Sequence, residues 1–329
     1  MSKGRIERRD FLKTAGAAAL AGAWPLRASA QSGAPLNFGF QNTSWGTVAM
    51  VADAEKTFDK AGANVKFFRF GSGKETRDAM ISGRIDVGVL GGTPFVVGAA
   101  KGDMGAIGVA MYAGKTNAIV AAKDSGIRTI ADLKGKRVAS QLGSATNYVF
   151  ENKILPKSGL TKSDVQIVNV TFQNQVAAIV GKSADAFAGV EPFPSVAEVE
   201  GLGKVIVDYS QFDMQPVFLA VNAPILEKRK NELVAFMRGW LAAVHIVNQE
   251  PDRAVTIVWN QFKAQGYDTK EAVFKLMLTK LDVKPEYVPE LRHYLDEQSD
   301  VLIKLKQIHE APDWKKALDT SVLAQAMKA

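Results

Sequence analysis

From Leu36 onward, short apolar runs of strand length alternate with segments of helical length, and turn residues separate them. Apolar runs at 36–40, 65–70 and 85–90 are each followed by a loop containing Gly, Ser, Thr or Asn, and then by a helical segment. Strands that alternate with helices in this way form parallel β-α-β units. The pattern therefore predicts an α/β fold, with a first helix that runs from 48 to 60.

A second α/β stretch begins near residue 118 and ends near 207. The apolar run 216–221 then predicts a strand that returns to the first sheet, and apolar residues at helical spacing from 225 onward predict helices. The chain thus crosses twice between two α/β lobes, at 112–117 and 211–215. We expect a first lobe of residues 31–114 and 214–329 with the C-terminal helices, a second lobe of 115–213, and a two-segment hinge beside a cleft.

The first 30 residues contain the three parts of a secretory signal. Arg8 and Arg9 are followed by Phe-Leu-Lys, then by a weakly apolar run rich in Ala and Gly, and then by a small-x-small sequence that ends at Ala30. Paired arginines in this position are typical of twin-arginine export signals. We predict export by that route, cleavage after Ala30, and a periplasmic mature protein.

Composition argues against several classes of function. The chain has no cysteine, which rules out thiol catalysis, thiolate metal sites and a lipid anchor at the cleavage site. Its net charge is +7, of which residues 1–30 hold +4, and the remaining +3 gives no case for nucleic-acid binding. We therefore expect a soluble, monomeric, non-enzymatic protein without metal or cofactor. The histidines show no metal-ligand spacing and lie at His245, His293 and His309.

Four loops at predicted strand ends run directly into helix starts, and ligands bind beyond such strand ends in open α/β sheets. A helix start offers unpaired backbone N–H groups and a partial positive charge, so converging starts form an anion site. Each polar residue there is equally well explained as a helix cap, but the recurrence on both sides of the predicted cleft favours binding. The predicted ligand-binding residues of these loops are Asn42, Thr43, Ser44, Ser72, Gly92, Thr93, Ser144, Thr146 and Asn147.

Other candidate binding residues lie at loop or hinge positions. Trp45, Tyr112 and Phe193 are candidates for an apolar wall around the ligand, although a place in the core explains each of them equally well. Glu191 is a candidate acceptor for a polar or amino group, or else a helix cap or hinge contact. Lys115 is a candidate partner for the anion, and a solvated hinge lysine is the simpler interpretation.

Several motifs occur in a characteristic order. Residues 70–94 combine a Ser-Gly turn, a helix that ends in glycine, an Ile-Asp-Val-Gly strand and a Gly-Gly-Thr-Pro turn. Residues 127–138 look like a linker into a second lobe, and residues 143–147 look like the start of a helix in that lobe. Residues 184–193 include an acid followed by proline and an aromatic residue. Together they resemble the sulfonate/nitrate/taurine group of ABC-transporter substrate-binding proteins, an NMT1-like family. Val190 stands where many members carry Trp, so that tryptophan does not carry over.

The resemblance implies a periplasmic-binding-protein fold of type II and the solute-binding component of an ABC importer, which delivers its ligand to a permease and the associated ATPase. It favours a small organic anion, with a sulfonate such as taurine or an alkanesulfonate first. Nitrate, bicarbonate and an aromatic carboxylate stay open as ligands, and presentation of a ligand to a sensor stays open as a role. An enzyme like the thiamine-pyrimidine enzyme that shares the fold is disfavoured, because that enzyme relies on cysteines.

Overall fold

The computed structural model describes residues 33–328, so the predicted signal and its cleavage point lie outside the described residues. Within 33–328, ten strands form two five-stranded sheets. No helix in this range is long and apolar enough to cross a membrane. The strands are β1 (Leu36–Gln41), β2 (Val65–Phe70), β3 (Val87–Gly91), β4 (Met104–Tyr112), β5 (Asn117–Ala122), β6 (Arg137–Ser140), β7 (Gln166–Asn169), β8 (Ala186–Val190), β9 (Gly203–Asp208) and β10 (Pro216–Asn222).

Both sheets are mixed in strand direction. The first has the order β2-β1-β3-β10-β4, with β1 parallel to β2 and β3, and β10 antiparallel to β3 and β4. The second has the order β7-β6-β8-β5-β9, with β6 parallel to β7 and β8, and β5 antiparallel to β8 and β9. The chain leaves the first sheet after β4 and returns with β10. The predicted α/β class with two lobes and two crossings is confirmed, while the exact lobe boundaries stay a prediction.

Helices cover the faces of both sheets and dominate the C-terminal third. The predicted single helix over 48–60 is wrong, because Lys56 adopts a left-handed φ of 54° and divides it into two. A π-helical turn at Phe150–Ile154 lies between two short α-helical segments. The helices are α1 (Thr47–Glu55), α2 (Thr57–Lys60), α3 (Gly73–Ile81), α4 (Gly92–Ala100), α5 (Ala145–Val149), α6 (Leu155–Lys157), α7 (Gln175–Val180), α8 (Phe193–Val199), α9 (Ala223–Lys228), α10 (Lys230–Gln249), α11 (Pro251–Lys263), α12 (Glu271–Leu278), α13 (Leu291–Lys304), α14 (Trp314–Ala317) and α15 (Ser321–Ala326).

An aromatic cluster holds α10 against the first sheet. Phe38 on β1 meets Phe236 on α10 edge-on, with ring centroids 5.1 Å apart, and Phe58 on α2 stacks on Phe236 at 4.5 Å. All three rings are buried. Aromatic pairs of this kind stabilise by about 0.5–1.5 kcal/mol each beyond their buried area. The cluster makes the first sheet a firm platform for the loops at its strand ends.

The C-terminal helices contact both lobes. Helix α13 packs on α4 of the first lobe, and α12 packs on α8 of the second. Beside the second contact, Lys270 pairs with Glu200 at 2.9 Å and Lys280 pairs with Glu191 at 2.6 Å. The lobes are therefore joined by this C-terminal segment as well as by the two crossings of the chain.

Candidate functional site

The starts of three helices meet at the junction of the lobes. Helices α3 and α4 belong to the first lobe, and α5, which begins at Ala145, belongs to the second. A β-carbon built on Gly91, directly before α4, would stand 2.8 Å from the Ala145 β-carbon, and one built on Gly73 would stand 3.5 Å from the Gly91 nitrogen. Each helix start carries unpaired N–H groups and a partial positive charge. The junction therefore favours an anion.

A cavity of about 550 Å³ opens beside these helix starts. This volume lies in the range of about 300–1,000 Å³ that is typical of small-molecule sites. Three of the predicted binding residues line it together: Thr93 from the first lobe, and Ser144 and Asn147 from the second. The cavity is thus bounded by both lobes, as a ligand that bridges them requires.

The hydroxyls of Thr93 and Ser144 are available as donors. Thr93 Oγ1 accepts a hydrogen bond from Gln298 Nε2 at 3.1 Å, and Ser144 Oγ accepts from the backbone N–H of Asn147 at 3.0 Å as the cap of α5. Within residues 33–328 neither hydroxyl donates a hydrogen bond. Both O–H groups can therefore donate to a ligand in the cavity.

The charged lining of the cavity is mostly positive. Lys74 and Arg77 contribute from α3 and Lys162 from the second lobe, whereas Glu151 is the one acid among the lining residues. Lys162 pairs with Glu151 at 3.0 Å, and Arg77 pairs with its neighbour Asp78 at 2.6 Å. Across the described part of the chain, Lys74 forms no ion pair. These cations leave no local signal in the sequence, because an isolated Lys or Arg on a helix is normally a solvated side chain.

Several buried polar atoms near the lobe junction lack a hydrogen-bond partner among residues 33–328. They include the hydroxyl of Ser44, Nε1 of Trp45, Oδ1 of Asn147 and the hydroxyl of Tyr148. An unsatisfied buried group costs about 1–3 kcal/mol, so these four groups are available to bound water or to a ligand. Burial raises the pKa of Tyr148, with the charge of Asp213 adding to the rise, so this hydroxyl stays protonated at neutral pH.

Three other predicted residues serve as caps or links within the fold. Ser72 accepts from the N–H of Glu75 and donates to its carboxylate, and Thr43 caps the short 3-10 helix that follows it. The hydroxyl of Thr146 donates to Asn117 Oδ1 at 2.8 Å and ties α5 to β5. None of the three lines the cavity described above. A ligand contact by these side chains stays a prediction.

Glu191 connects the lobes at the hinge. It is 1% exposed, and its carboxylate pairs with Lys280 and accepts from the N–H of Ser195 at 3.1 Å. Its backbone carbonyl accepts from the N–H of Ser44 at 2.7 Å, across the cleft. Burial raises the pKa of Glu191, and the ammonium of Lys280 opposes that rise. Through these contacts Glu191 links the two lobes. A contact between Glu191 and a ligand stays a prediction.

Two of the aromatic candidates are buried near the junction but outside the cavity lining. The ring of Trp45 lies against Gly91, where a β-carbon on the glycine would approach it to 3.0 Å. Phe193 packs near Tyr267, with centroids 6.4 Å apart. Asn42, which directly follows β1, accepts a long hydrogen bond of 3.4 Å from the guanidinium of Arg69. The apolar residues that do line the cavity are Val97, Leu142 and Leu305.

Tyr112 belongs to the hinge. Its hydroxyl donates to the carbonyl of Glu286 at 2.9 Å and accepts from the N–H of Val288 at 3.1 Å. Burial raises the pKa of Tyr112 to about 12. Tyr112 and Lys115 line a separate cavity of about 550 Å³ at the hinge. Neither reaches the cavity that contains Thr93.

Gly92 allows the ring of Tyr294 to approach the start of α4. A β-carbon on Gly92 would stand 2.7 Å from the hydroxyl of Tyr294, so a side chain there would displace that ring. The ammonium of Lys153 lies 4.8 Å from the centroid of the Tyr294 ring and pairs with Asp213 at 2.5 Å. Burial raises the pKa of Asp213, and Lys153 opposes the rise. The contact between Tyr294 and Lys153 joins α13 to the π-helical turn of the second lobe.

Comparison with known proteins agrees with the motifs. Residues 29–259 match the model of the NMT1-like family. A protein of Escherichia coli K12 named for binding aliphatic sulfonates is 30% identical over 237 residues, which cover 71% of this chain and 72% of that protein. A protein of Bacillus subtilis 168 with the same name is 26% identical over 277 residues, covering 83% and 82%.

Solved structures show the same fold. The alkanesulfonate-binding protein SsuA from Xanthomonas axonopodis pv. citri, bound to MOPS, aligns with a TM-score of 0.74 and 21% identity over 87% of this chain and 98% of that one. The similarity confirms the predicted periplasmic-binding-protein fold. With the family match over more than half of its length, the chain belongs to the NMT1-like family.

Proposed function

We propose that this chain is the solute-binding component of an ABC importer. It captures a small organic anion, a sulfonate in the first place, in the cavity between the lobes and delivers it to a membrane permease with its ATPase. The observation that carries the proposal is the meeting of three helix starts and three cationic side chains around one cavity with a single lining acid. The sulfonate-binding names of two relatives support the ligand class.

The chemistry of the lining suits a sulfonate. The hydroxyls of Thr93, Ser144 and Tyr148 supply donors from both lobes for the three sulfonate oxygens. Charge-assisted hydrogen bonds contribute about 1.5–3 kcal/mol each. Leu142 and Leu305 offer apolar contact to a short carbon chain. A ligand held by donors from both lobes stabilises the closed state over an open one, and the closed form is the one that docks on the permease.

The proposal involves binding without catalysis. Among the lining residues, the one carboxylate, Glu151, already accepts from Lys162 and from Asn147 Nδ2 at 3.2 Å, so it is poorly placed to act as a free general base. The related proteins are binding proteins by name. The predicted twin-arginine signal at residues 1–30 is the basis for placing the mature protein in the periplasm.

Calorimetric titration of the mature protein, residues 31–329, tests the proposal. Alkanesulfonates should bind, and Thr93→Ala and Ser144→Ala should each weaken binding about tenfold or more, since each removes one charge-assisted donor. Thr256→Ala, an exposed hydroxyl on α11, is the matched control and should bind as the wild type does. Binding of nitrate, bicarbonate or an aromatic carboxylate instead would change the ligand class. A preference for neutral or cationic solutes, with no anion bound, would overturn the anion site.

A further inference from the structure

We infer that the preferred ligand carries a second anionic group at the end opposite its sulfonate, and that Lys74, Arg77 and Lys162 receive this group at the mouth of the cavity. The ligand class is thus a short sulfonate with a terminal carboxylate or a second sulfonate. The inference rests on the proposed function, since it concerns the same cavity. It predicts a difference in affinity between dianionic and monoanionic sulfonates, which the anion site at the helix starts alone does not distinguish.

The position of Lys74 favours an anionic partner. It is the second residue of α3, where a cation opposes the helix dipole, and its Cδ lies 3.1 Å from the position of a β-carbon on Gly143 in the second lobe. Lys74 has no ion-pair partner within residues 33–328. No acid within residues 33–328 neutralises this ammonium between the starts of α3 and α5. A bound anion would neutralise it.

The charge balance of the lining also favours a second anionic group. Lys162 pairs with Glu151 at 3.0 Å and Arg77 pairs with Asp78 at 2.6 Å, so Lys74 is the one lining cation without an acid within residues 33–328. A monoanion seated on the helix starts leaves the ammonium of Lys74 at the mouth without a counter-ion. A ligand with a terminal ammonium, such as taurine, would bring a like charge to these cations, and like charges repel.

The groups of the lining follow a definite order from the inner end of the cavity to the mouth. Thr93 and Ser144, the donors for the first anionic group, are 8% and 3% exposed. The side chain of Lys162 is 67% exposed, and Leu142 on the rim is 44% exposed. The lining therefore runs from buried hydroxyls to exposed cations with an apolar side chain beside them. This order matches a ligand with two charged ends and a short carbon chain.

Four ligands with a two-carbon backbone test the inference by calorimetric titration: ethanesulfonate, taurine, sulfoacetate and ethane-1,2-disulfonate. We expect both dianions to bind about tenfold tighter than ethanesulfonate, equivalent to about 1.4 kcal/mol, and taurine to bind weaker than ethanesulfonate. Lys74→Gln should weaken the dianions about fivefold and ethanesulfonate less than about twofold, in keeping with loss of one exposed ion pair. Lys101→Gln, which removes an exposed lysine at the opposite end of α4, should change neither.

The outcomes separate the two proposals. Equal affinity for ethanesulfonate and the dianions, or tightest binding of taurine, overturns the second anionic subsite and leaves the proposed function standing. Binding of none of the four, together with no alkanesulfonate, overturns the proposed function itself. If Lys74→Gln fails to fold, the salt dependence of the wild type decides, because a dianion should show a clearly steeper loss of affinity with salt than a monoanion. Equal salt dependence would contradict the inference.

Discussion

Replacing Gly91 with alanine would place a methyl group in the contact between the lobes. The new β-carbon would stand 2.8 Å from the β-carbon of Ala145 and 3.0 Å from the ring of Trp45. Carbon atoms in contact prefer about 3.5–4.0 Å, so the lobes must separate locally by about 1 Å. Gly91 has φ −67° and ψ 164°, which any residue adopts, so the substitution strains the junction and leaves the backbone unstrained.

The cost of this separation should appear mainly in ligand binding. Overpacking of a close contact costs about 1–3 kcal/mol, and it arises here only when the lobes are together. A ligand that needs donors from both Thr93 and Ser144 should therefore bind about five- to 150-fold more weakly. The free energy of unfolding without ligand should change less, because the ring of Trp45 can yield by the few tenths of an ångström that its contact requires.

Calorimetric titration with an alkanesulfonate measures the loss of affinity, and small-angle scattering measures the separation of the lobes. Adding Ala145→Gly to the same chain removes the second β-carbon and should restore most of the affinity. Gly73→Ala is the matched control, since its β-carbon would find its nearest neighbour at an ordinary 3.5 Å. Wild-type affinity in Gly91→Ala, or no recovery in the double variant, would refute closure of the lobes at this contact.

Three further changes test the packing, the link between the lobes and the hinge. Phe236→Ala removes a buried ring that stacks on Phe58 and should lower the free energy of unfolding by about 3–5 kcal/mol in urea titrations. Lys280→Met leaves Glu191 buried without its cation and should cost about 3–5 kcal/mol at neutral pH. Because burial raises the pKa of Glu191 above its ordinary 4.5, protonation should remove much of that loss as the pH falls toward 4.5, and a pH-independent loss would contradict the assignment. Tyr112→Phe removes two hydrogen bonds to the backbone and should cost about 1–3 kcal/mol, measured by thermal unfolding, whereas an unchanged midpoint would exclude a structural role for the hydroxyl.

Local sequence signals predicted most of the fold. The apolar run 216–221 corresponds to β10, Pro216–Asn222, because a buried strand shows its character within its own few residues. The helix starts at Ser72 and Ser144 were predictable for the same reason, since an N-cap is a local interaction. The left-handed turn at Lys56 was not, because nothing in lysine or its neighbours favours φ above zero.

The lining of the cavity depends on contacts between distant parts of the chain, and these leave no local signal. Thr93 is oriented by Gln298, which lies 205 residues away, and Lys162 faces the cavity through its pair with Glu151 on the π-helical turn. The polar residues at the helix starts were therefore predictable from the sequence, and the cations that reach the cavity from other turns were not. The contact of Trp45 with Gly91 is likewise a contact between distant parts of the chain, and no local signal predicts it.

Two buried carboxylates near the hinge each pair with a lysine. Glu191 follows β8 and pairs with Lys280, while Asp213 precedes β10 and pairs with Lys153. Burial raises the pKa of both carboxylates, so a large part of each attraction is offset by the loss of hydration. Such pairs add little net stability compared with apolar packing, but they permit only a narrow range of geometries. Asp213 lies in the second crossing, and the backbone N–H of Glu191 donates to Thr116 in the first. Both pairs therefore favour a role in fixing how the lobes meet, and leave the charge of the cavity itself to select the ligand.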